Sequence, residues 1–363
     1  MTKTVVQFGA GAIGRGFLAQ LWCDAGYETV FVDVDAALVE RFNRAGKYAL
    51  SLRAIGIGDT RTVTPVRAVL ASDTQAVARE LRTCAFVATS VGLRHLPGVG
   101  TTIAAAVAER SSPLNVLLCE NGANVRETFL SGVGGAPIHG IETVVGRMVP
   151  EPKPDALDLL TEPFCELPYN AAQWHGDAPD VPGLIAVPGE QFPAYEYRKL
   201  FLHNGGHALL AYHGAWRGKS LLSECASDTE IVRELMGFWH EVSTALRQSP
   251  HADTPIFAGD ALMRYTTDLL TRFQSPHLGD TVARVARDPA RKLATHDRLT
   301  GAALFCLEHG VGPMSTYRAI AAALRYAEST DEPLDFASVA GLPADHPVVL
   351  SVRGFHLPVG AFG

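Results

Sequence analysis

The segment that decides the fold of this chain reads Val5-Val6-Gln7-Phe8-Gly9-Ala10-Gly11-Ala12-Ile13-Gly14-Arg15-Gly16-Phe17. An apolar run leads into the pattern G-x-G-x-x-G, an amphipathic stretch follows, and a second apolar run, residues 29–32, ends on Asp33. A dinucleotide-binding β-α-β unit requires this order of strand, glycine turn, helix, strand and acid. The sequence therefore predicts a Rossmann-type domain at the start of the chain.

The glycine turn and the acid indicate which cofactor is bound. The first glycine allows the tight turn, the second lets the backbone approach a pyrophosphate, and the third lets the helix pack against the strand. The N-terminus of the helix then offers N–H groups to the phosphates. We expect NAD rather than NADP, because Asp33 would accept hydrogen bonds from the ribose and repel a 2′-phosphate. The cofactor contacts expected in this unit are Gly9, Gly11, Ala12, Ile13, Gly14 and Asp33.

Two further apolar runs, residues 84–92 and 114–122, predict buried strands of a parallel sheet. Both runs end in glycine or polar residues, and ligands of such sheets bind at the carboxyl ends of the strands. We therefore expect Val91, Gly92 and Asn121 to contact the cofactor as well.

The second half of the chain has a helical pattern. After a proline-rich stretch between residues 150 and 193, the apolar periodicity becomes helical and remains so. The helices expected with most support are residues 195–216, 228–247, 256–273 and 299–328. The sequence predicts an α/β chain, with a Rossmann-type NAD-binding domain over 1–190 and a mainly α-helical catalytic domain over 191–363.

The composition favours a globular enzyme that acts on a small molecule. Of the 363 residues, 47% are hydrophobic and 19% are charged, which excludes a disordered chain. The net charge of −7 argues against a nucleic-acid partner, and no apolar run is long enough to span a membrane. We expect a cytoplasmic protein without disulfides, because the six cysteines are scattered and no signal peptide precedes the first strand. We also expect a monomer or a small homo-oligomer.

Transfer of a hydride from an alcohol to NAD requires a group that removes the hydroxyl proton. A zinc site needs several clustered Cys and His ligands. His203 and His207 have no companion cysteine and do not form an H-E-x-x-H pattern, so we expect no metal. Tyr195 and Lys199 spell the Y-x-x-x-K pair of short-chain dehydrogenases, but without that family's glycine pattern and outside the nucleotide domain. The third solution is a lysine base with amide donors, and Lys199, Asn204 and His207 form the pattern K-x-x-x-x-N-x-x-H.

This pattern resembles that of the polyol-specific long-chain dehydrogenases, the mannitol dehydrogenase family. The resemblance covers nearly the whole chain and is closest to the short bacterial branch of the family. The matching positions include residues 8–17, 198–201, 204, 206–208, 211–212, 272–273, 288–289 and 291–293.

The resemblance implies an NAD-dependent enzyme that transfers a hydride between a polyol, or a polyol phosphate, and its ketose. Mannitol 1-phosphate and fructose 6-phosphate are the expected pair. The resemblance makes Lys199 the general base, with Asn204 and Asn121 as an oxyanion pocket and His207 as the group that positions the substrate. On an ideal α-helix Lys199, His203 and His207 lie along one stripe, so only the resemblance favours His207 over His203.

Several cations could bind the substrate. Arg291 and Lys292, together with Arg298, form a basic cluster that could hold a phosphate, or could instead be a solvated ion-pair network. Arg272 is a candidate for holding a substrate oxygen.

One departure from the family pattern leaves the substrate open. The signature V-D-R-I-x-P appears here over residues 145–150 with Gly146 in place of the acid. Two alternatives therefore stand beside the expected reaction. One is a dehydrogenase of unphosphorylated polyols, such as mannitol 2-dehydrogenase, and the other is a non-catalytic NAD-binding sensor.

Overall fold

A computed structural model of the chain describes residues 3–107, 110, 112–153 and 155–355. The chain forms two units, Met1–Phe192 and Pro193–Gly363. The boundary expected after residue 190 lies close to this division, and residues 356–363 of the expected second domain lie outside the described residues. Within the described ranges, no helix combines the length and the apolar character that crossing a lipid bilayer requires.

The first unit alternates strands with helices. Its strands are β1 (Thr4–Phe8), β2 (Glu28–Asp33), β3 (Tyr48–Ala54), β4 (Ile57–Val63), β5 (Val66–Leu70), β6 (Phe86–Thr89), β7 (Leu114–Leu118), β8 (Ile138–Glu142), β9 (Leu159–Thr161), β10 (Leu167–Asn170) and β11 (Leu184–Val187). Its helices are a π-helical segment Gly14–Leu18 continued by α1 (Ala19–Asp24), then α2 (Ala36–Ala45), α3 (Thr74–Thr83), α4 (Leu96–Val107) and α5 (Val125–Leu130). Short 3₁₀ turns occur at Leu93–His95, Ala171–Gln173 and Gly189–Gln191.

The main sheet confirms the predicted Rossmann-type fold. Six strands pair in parallel in the order β5-β2-β1-β6-β7-β8, which is the strand order of a dinucleotide-binding sheet. Apolar residues cover both faces, with Val5 in one core cluster and Val6 in the other. The strand order reverses between β1 and β6, and the loops that follow these two strands carry Gly9 and Gly92. The fold therefore brings the glycine turn to the point where such sheets bind ligands.

A second, three-stranded sheet of order β4-β3-β9 was not anticipated from the sequence. Strand β4 has exposed residues at every position except Val63, so it lacks the apolar alternation by which a half-buried strand is recognised. Its partner β3 buries Tyr48, Leu50 and Leu52 against the core.

The second unit is mainly helical. Its helices are α6 (Phe192–Tyr197), a π-helical segment Arg198–Gly205, α7 (Gly206–Trp216), α8 (Leu222–Cys225), α9 (Thr229–Gln248), α10 (Ala261–Phe273), α11 (Val282–Ala286), α12 (Pro289–Lys292), α13 (Thr300–Glu308), α14 (Met314–Ser329), α15 (Phe336–Ala340) and α16 (Pro347–Gly354). Two 3₁₀ turns, Pro255–Phe257 and Pro276–Leu278, precede α10 and α11.

The expected helix over residues 228–247 is confirmed by α9, and the one over 195–216 forms a continuous helical stretch. The expectation for 299–328 is wrong, because this stretch is divided between α13 and α14. Gly310 has a φ of 71°, and Pro313 precedes the first residue of α14. A left-handed glycine ends one helix and a proline cannot continue it. The helix expected to begin at residue 256 begins only at Ala261.

A buried carboxylate joins two of these helices. Glu241 of α9 accepts hydrogen bonds from the backbone N–H groups of Ser315, at 2.6 Å, and Thr316, at 3.0 Å, and from the Thr316 hydroxyl at 2.9 Å. These are free donors of the first turn of α14, where a negative charge is favourable.

Glu241→Ala should therefore lower the free energy of unfolding of this unit by roughly 3 kcal/mol, because buried donors lose a charged acceptor. Glu241→Gln should cost less, since one acceptor oxygen remains. Urea unfolding followed by circular dichroism measures both, with Glu230→Gln on the exposed side of α9 as the control. Equal midpoints for Glu241→Ala and the control would contradict this account.

Candidate active site

The glycine turn after β1 has the geometry that a bound pyrophosphate requires. Gly9 has a φ of 88°, and a side chain there would overlap the carbonyl oxygen of Ser90. A side chain on Gly14 would overlap the carbonyl oxygen of Gly9, so the helix lies directly on the turn. A Cβ on Gly11, by contrast, would meet no described atom within 4 Å. The first and third glycines are thus required by packing, and the second leaves open space for a ligand to approach the backbone.

Asp33 holds this turn in place. Its Oδ2 accepts the backbone N–H of Ala10 at 2.7 Å and its Oδ1 accepts that of Asp35 at 3.0 Å. A carboxylate has about four lone-pair directions, so both oxygens retain acceptor capacity for a ribose diol. Ala12 and Ile13 lie at the start of the helix and are partly buried. The residues of this turn fit NAD.

A carboxylate holds the loop that follows β6 and carries Val91 and Gly92. Glu120, which directly follows β7 and Cys119, accepts the backbone N–H of Val91 at 2.8 Å and that of Gly92 at 2.9 Å. These two N–H groups are therefore occupied, and a ligand would meet the Val91 side chain and the carbonyl groups of the loop. Asn121 is exposed beside Glu120, at the carboxyl edge of the sheet.

Gly146, at the position of the acid in the family signature, faces an aromatic ring. A Cβ on Gly146 would lie 3.0 Å from Cε1 of Phe164 and 3.4 Å from its Cζ. The neighbouring Arg147 is buried and donates to the carbonyl oxygens of Phe164, at 2.5 Å, and Gly16, at 3.0 Å. An acidic side chain at residue 146 would require this ring to move.

In the second unit, the pattern K-x-x-x-x-N-x-x-H begins on a π-helix rather than on an ideal α-helix. The segment Arg198–Gly205 is π-helical, and the backbone carbonyl of Leu202 within it accepts the indole N–H of Trp239 at 2.8 Å. On an α-helix, Lys199 and Asn204 would point about 140° apart. In a π-helix the hydrogen bonds join residues i and i+5, so Asn204 lies one turn from Lys199. The expectation that these residues follow an ideal α-helix is therefore wrong. In the π-helix, the amide of Asn204 lies on the same side as Lys199.

Lys199 has the electrostatic character of a base at neutral pH. Burial and, to a smaller extent, the positive charge of Arg298 lower the pKa of its amine to about 7, against the opposing effect of Asp297. The unprotonated and protonated forms are therefore both populated near pH 7. A lysine in ordinary solvent would remain protonated at this pH.

His207 is oriented by a carboxylate that the sequence analysis missed. Its Nε2 lies 3.3 Å from Oδ2 of Asp280, and its ring stacks on Phe273 with 5.2 Å between centroids. Burial alone would raise the pKa of Asp280, but the hydrogen bond from His207 and the charge of Arg284 lower it below its ordinary value. Asp280 also accepts a hydrogen bond from Arg284. Nothing in the local spacing relates residues 207 and 280, so only the fold reveals this pair.

His203 lies in a different environment from His207. It is 4% exposed, its ring meets that of Phe273 edge to face at 5.7 Å, and its Nδ1 has no hydrogen-bond partner within the described part of the chain. Burial, followed by the charges of Arg272 and Lys199, holds the pKa of His203 well below its usual range. His203 is therefore a neutral, packed side chain.

The three cations expected to contact substrate differ in their surroundings. Arg272 is buried and lies 3.5 Å from Asp268. Arg291 is half exposed and pairs with Asp288 and Asp297. Lys292 is buried and donates to the backbone carbonyl of Arg287. Burial and, to a smaller extent, the charges of Arg298 and Arg291 lower its pKa to about 7.

Comparison with known proteins assigns the chain to a family. The model of the mannitol dehydrogenase Rossmann domain matches residues 3–183, and the model of the mannitol dehydrogenase C-terminal domain matches residues 191–338. The chain belongs to the mannitol dehydrogenase family. The proposed cofactor turn lies within the first match and the lysine helix within the second.

Individual relatives agree with this assignment. The chain is 36% identical to a mannitol-1-phosphate 5-dehydrogenase of Brevibacillus brevis, over 96% of either chain. It is 33% identical to a protein of the same name from Pseudarthrobacter chlorophenolicus, over 96% of this chain and 95% of the relative. Among solved structures, Pseudomonas fluorescens mannitol 2-dehydrogenase in complex with NAD and D-mannitol matches with a TM-score of 0.70. That match has 17% identity and covers 90% of this chain and 80% of the other, so it is a likeness of fold.

The charge of the Asp33 carboxylate should determine the preference between NADH and NADPH. Its hydrogen bond from Ala10 N–H should stabilise the glycine turn. Asp33→Asn keeps an acceptor for Ala10 N–H but removes the charge, so NADPH should bind more tightly while NADH loses less than about tenfold. Asp33→Ala should weaken NADH further, because the turn also loses its acceptor. Fluorescence titration with NADH and NADPH measures both, with Asp35→Asn as the control. Native protein that binds both cofactors equally would refute the assignment.

Proposed function

We propose that this chain is an NAD-dependent dehydrogenase that interconverts mannitol 1-phosphate and fructose 6-phosphate. The observation that carries the proposal is the partly buried Lys199, whose pKa is lowered to about 7, with Asn204 one π-helical turn away. A proton acceptor beside an amide donor is what oxidation of a hydroxyl group needs. The relatives named mannitol-1-phosphate 5-dehydrogenase support the choice of substrate. NAD, held by the glycine turn and Asp33, would supply the hydride acceptor.

Lys199 would act as the general base. In polyol oxidation its neutral amine accepts the proton of the reacting hydroxyl, and in ketose reduction its ammonium form returns that proton. Since its pKa lies near 7, the same residue can serve both directions close to neutral pH.

The side chains around Lys199 would stabilise and orient the reacting oxygen. This oxygen gains negative charge when the proton leaves, and the amide N–H of Asn204 would donate a hydrogen bond to it. The family resemblance assigns the same task to Asn121. His207, fixed by Asp280 and stacked on Phe273, would donate to or accept from a substrate hydroxyl. Arg272, Arg291 and Lys292 are the cations proposed to contact the rest of the substrate.

The decisive experiment is a spectrophotometric scan of NADH oxidation with fructose 6-phosphate, fructose and other ketoses. The proposal requires fructose 6-phosphate to have the highest kcat/KM. A preference for fructose would instead identify a dehydrogenase of unphosphorylated polyols. Tight NADH binding without turnover of any ketose would identify a sensor.

The base predicts a pH dependence. The kcat/KM for polyol oxidation should rise about tenfold per pH unit below pH 7 and level off above it, because the neutral amine is required. Lys199→Ala should still bind NADH but lose about two or more decades of turnover. Lys219→Ala, a lysine paired with Asp228 at 3.1 Å, is the control. Near-native turnover of Lys199→Ala would exclude the role, and loss of turnover in Tyr195→Phe would favour the tyrosine mechanism.

Replacement of His207 and replacement of His203 should have different effects, the first mainly on kinetics and the second mainly on stability. His207→Ala should raise KM and lower kcat together, and Asp280→Asn should cause part of the same change, because the imidazole loses its orienting carboxylate. His203→Ala should lower the melting temperature, because a buried ring is removed, with a smaller effect on KM. Steady-state kinetics on one ketose and thermal unfolding separate these outcomes. Greater kinetic damage at His203 would show that the histidine roles have been reversed.

A further inference from the structure

Arg298 lies directly against the helix that carries Lys199 and Asn204. Its carbonyl oxygen is 3.1 Å from the position that a Cβ on Gly205 would take, at the end of the π-helical segment. Its side chain is only 14% exposed. The backbone of Arg298 therefore packs against the π-helix, and its charge is near enough to Lys199 to lower the pKa of that amine.

The guanidinium of Arg298 is held along one edge only. Its Nε donates to Oδ1 of Asp297 at 2.7 Å, and the same oxygen accepts the backbone N–H of Arg298 at 2.6 Å. The two terminal nitrogens make no hydrogen bond to any described residue. The side chain is largely enclosed, but these two nitrogens reach solvent and are free to donate to a ligand. Two parallel N–H groups fit a phosphate bidentately.

The neighbouring cations are already engaged. Arg291 donates through Nε to Asp288 at 2.8 Å and through Nη1 to Oδ2 of Asp297 at 3.0 Å. It is also 53% exposed, which weakens its attraction for an anion. Lys292 is bonded to the carbonyl of Arg287 and its pKa is lowered to about 7, so much of it is uncharged at neutral pH. In the basic cluster of residues 291–298, Arg291 is therefore ion-paired and more exposed, whereas Arg298 is more enclosed and has two nitrogens without a described partner.

We propose that Arg298 binds the phosphate group of the substrate, its two terminal nitrogens donating to phosphate oxygens while Asp297 fixes its inner edge. The inference rests on the proposed function, because it assumes a phosphorylated ketose. In fructose 6-phosphate the carbonyl is on the second carbon and the phosphate on the sixth. An arginine that holds the phosphate would therefore fix one end of the sugar while the carbonyl reacts near the other, and would distinguish this substrate from fructose.

The test compares kcat/KM for fructose 6-phosphate with kcat/KM for fructose in the full-length protein with saturating NADH. Arg298→Ala should lower the value for fructose 6-phosphate by about a hundredfold or more, because two charge-assisted hydrogen bonds are lost, and the value for fructose by less than about threefold. Inorganic phosphate should inhibit the native protein competitively with the ketose and inhibit this variant far less. Because Arg298 also lowers the pKa of Lys199, both substrates are compared on the acidic plateau of the pH profile.

Three further variants complete the test. Arg298→Lys keeps a charge but not the fork, so it should recover part of the preference; it also serves if Arg298→Ala fails to fold. Arg287→Ala, an exposed arginine of the same segment, should leave the ratio of the two values unchanged. Arg291→Ala is the rival variant, and a loss of phosphate preference there but not at Arg298 would overturn the inference.

The outcomes separate the two proposals. Equal losses for both ketoses in the Arg298 variants would mean that Arg298 acts on the chemistry and not on the phosphate. Native protein without activity on fructose 6-phosphate would refute the proposed function before any variant is compared. Native activity on fructose 6-phosphate with an unchanged ratio in Arg298→Ala would refute the inference alone.

Discussion

Burial of the helical stretch from residue 192 to residue 216 is the constraint on which the second unit depends. Eight of the eleven residues of its C-terminal half, α7, are buried. Polar groups on such a helix cannot rely on water, so each must find a partner or lose its charge. Burial lowers the pKa of Lys199 to about 7 and that of His213 to about 4, and holds that of His203 well below its usual range. The same packing that stabilises the unit therefore produces its proposed base.

Carboxylates organise both units in a common way. Asp33 and Glu120 accept backbone N–H groups of the two loops at the carboxyl edge of the sheet. Asp280 orients His207, and Asp297 fixes one edge of Arg298. Each acid occupies some of the hydrogen-bonding groups of its neighbours. The groups that remain without a partner among the described residues, such as the terminal nitrogens of Arg298, are the ones suited to a ligand. Rigid support of this kind keeps polar donors in place before a substrate arrives.

Local patterns made part of this structure predictable. The glycine turn and Asp33 lie within one β-α-β unit, so short-range sequence order was sufficient to predict them. Strand β4 was missed because its exposed residues carry no apolar alternation. Asp280 was missed because its relation to His207 arises only when distant segments pack together. The π-helix was missed because hydrophobic spacing does not distinguish it from an α-helix over so few residues.

The π-helical segment makes the site sensitive to chain length as well as to residue type. It holds eight residues, and each of its turns contains about one residue more than an α-helical turn. Deleting one residue from positions 200–202 would let the backbone return to ordinary α-helical bonding and would leave every functional side chain in the sequence. The lysine and the asparagine would then be four residues apart, which on an α-helix is again about one turn, so the two side chains would remain on one side of the helix. A further inserted residue would have no such compensation, so insertions in this short stretch should be tolerated far less than the deletion of one residue.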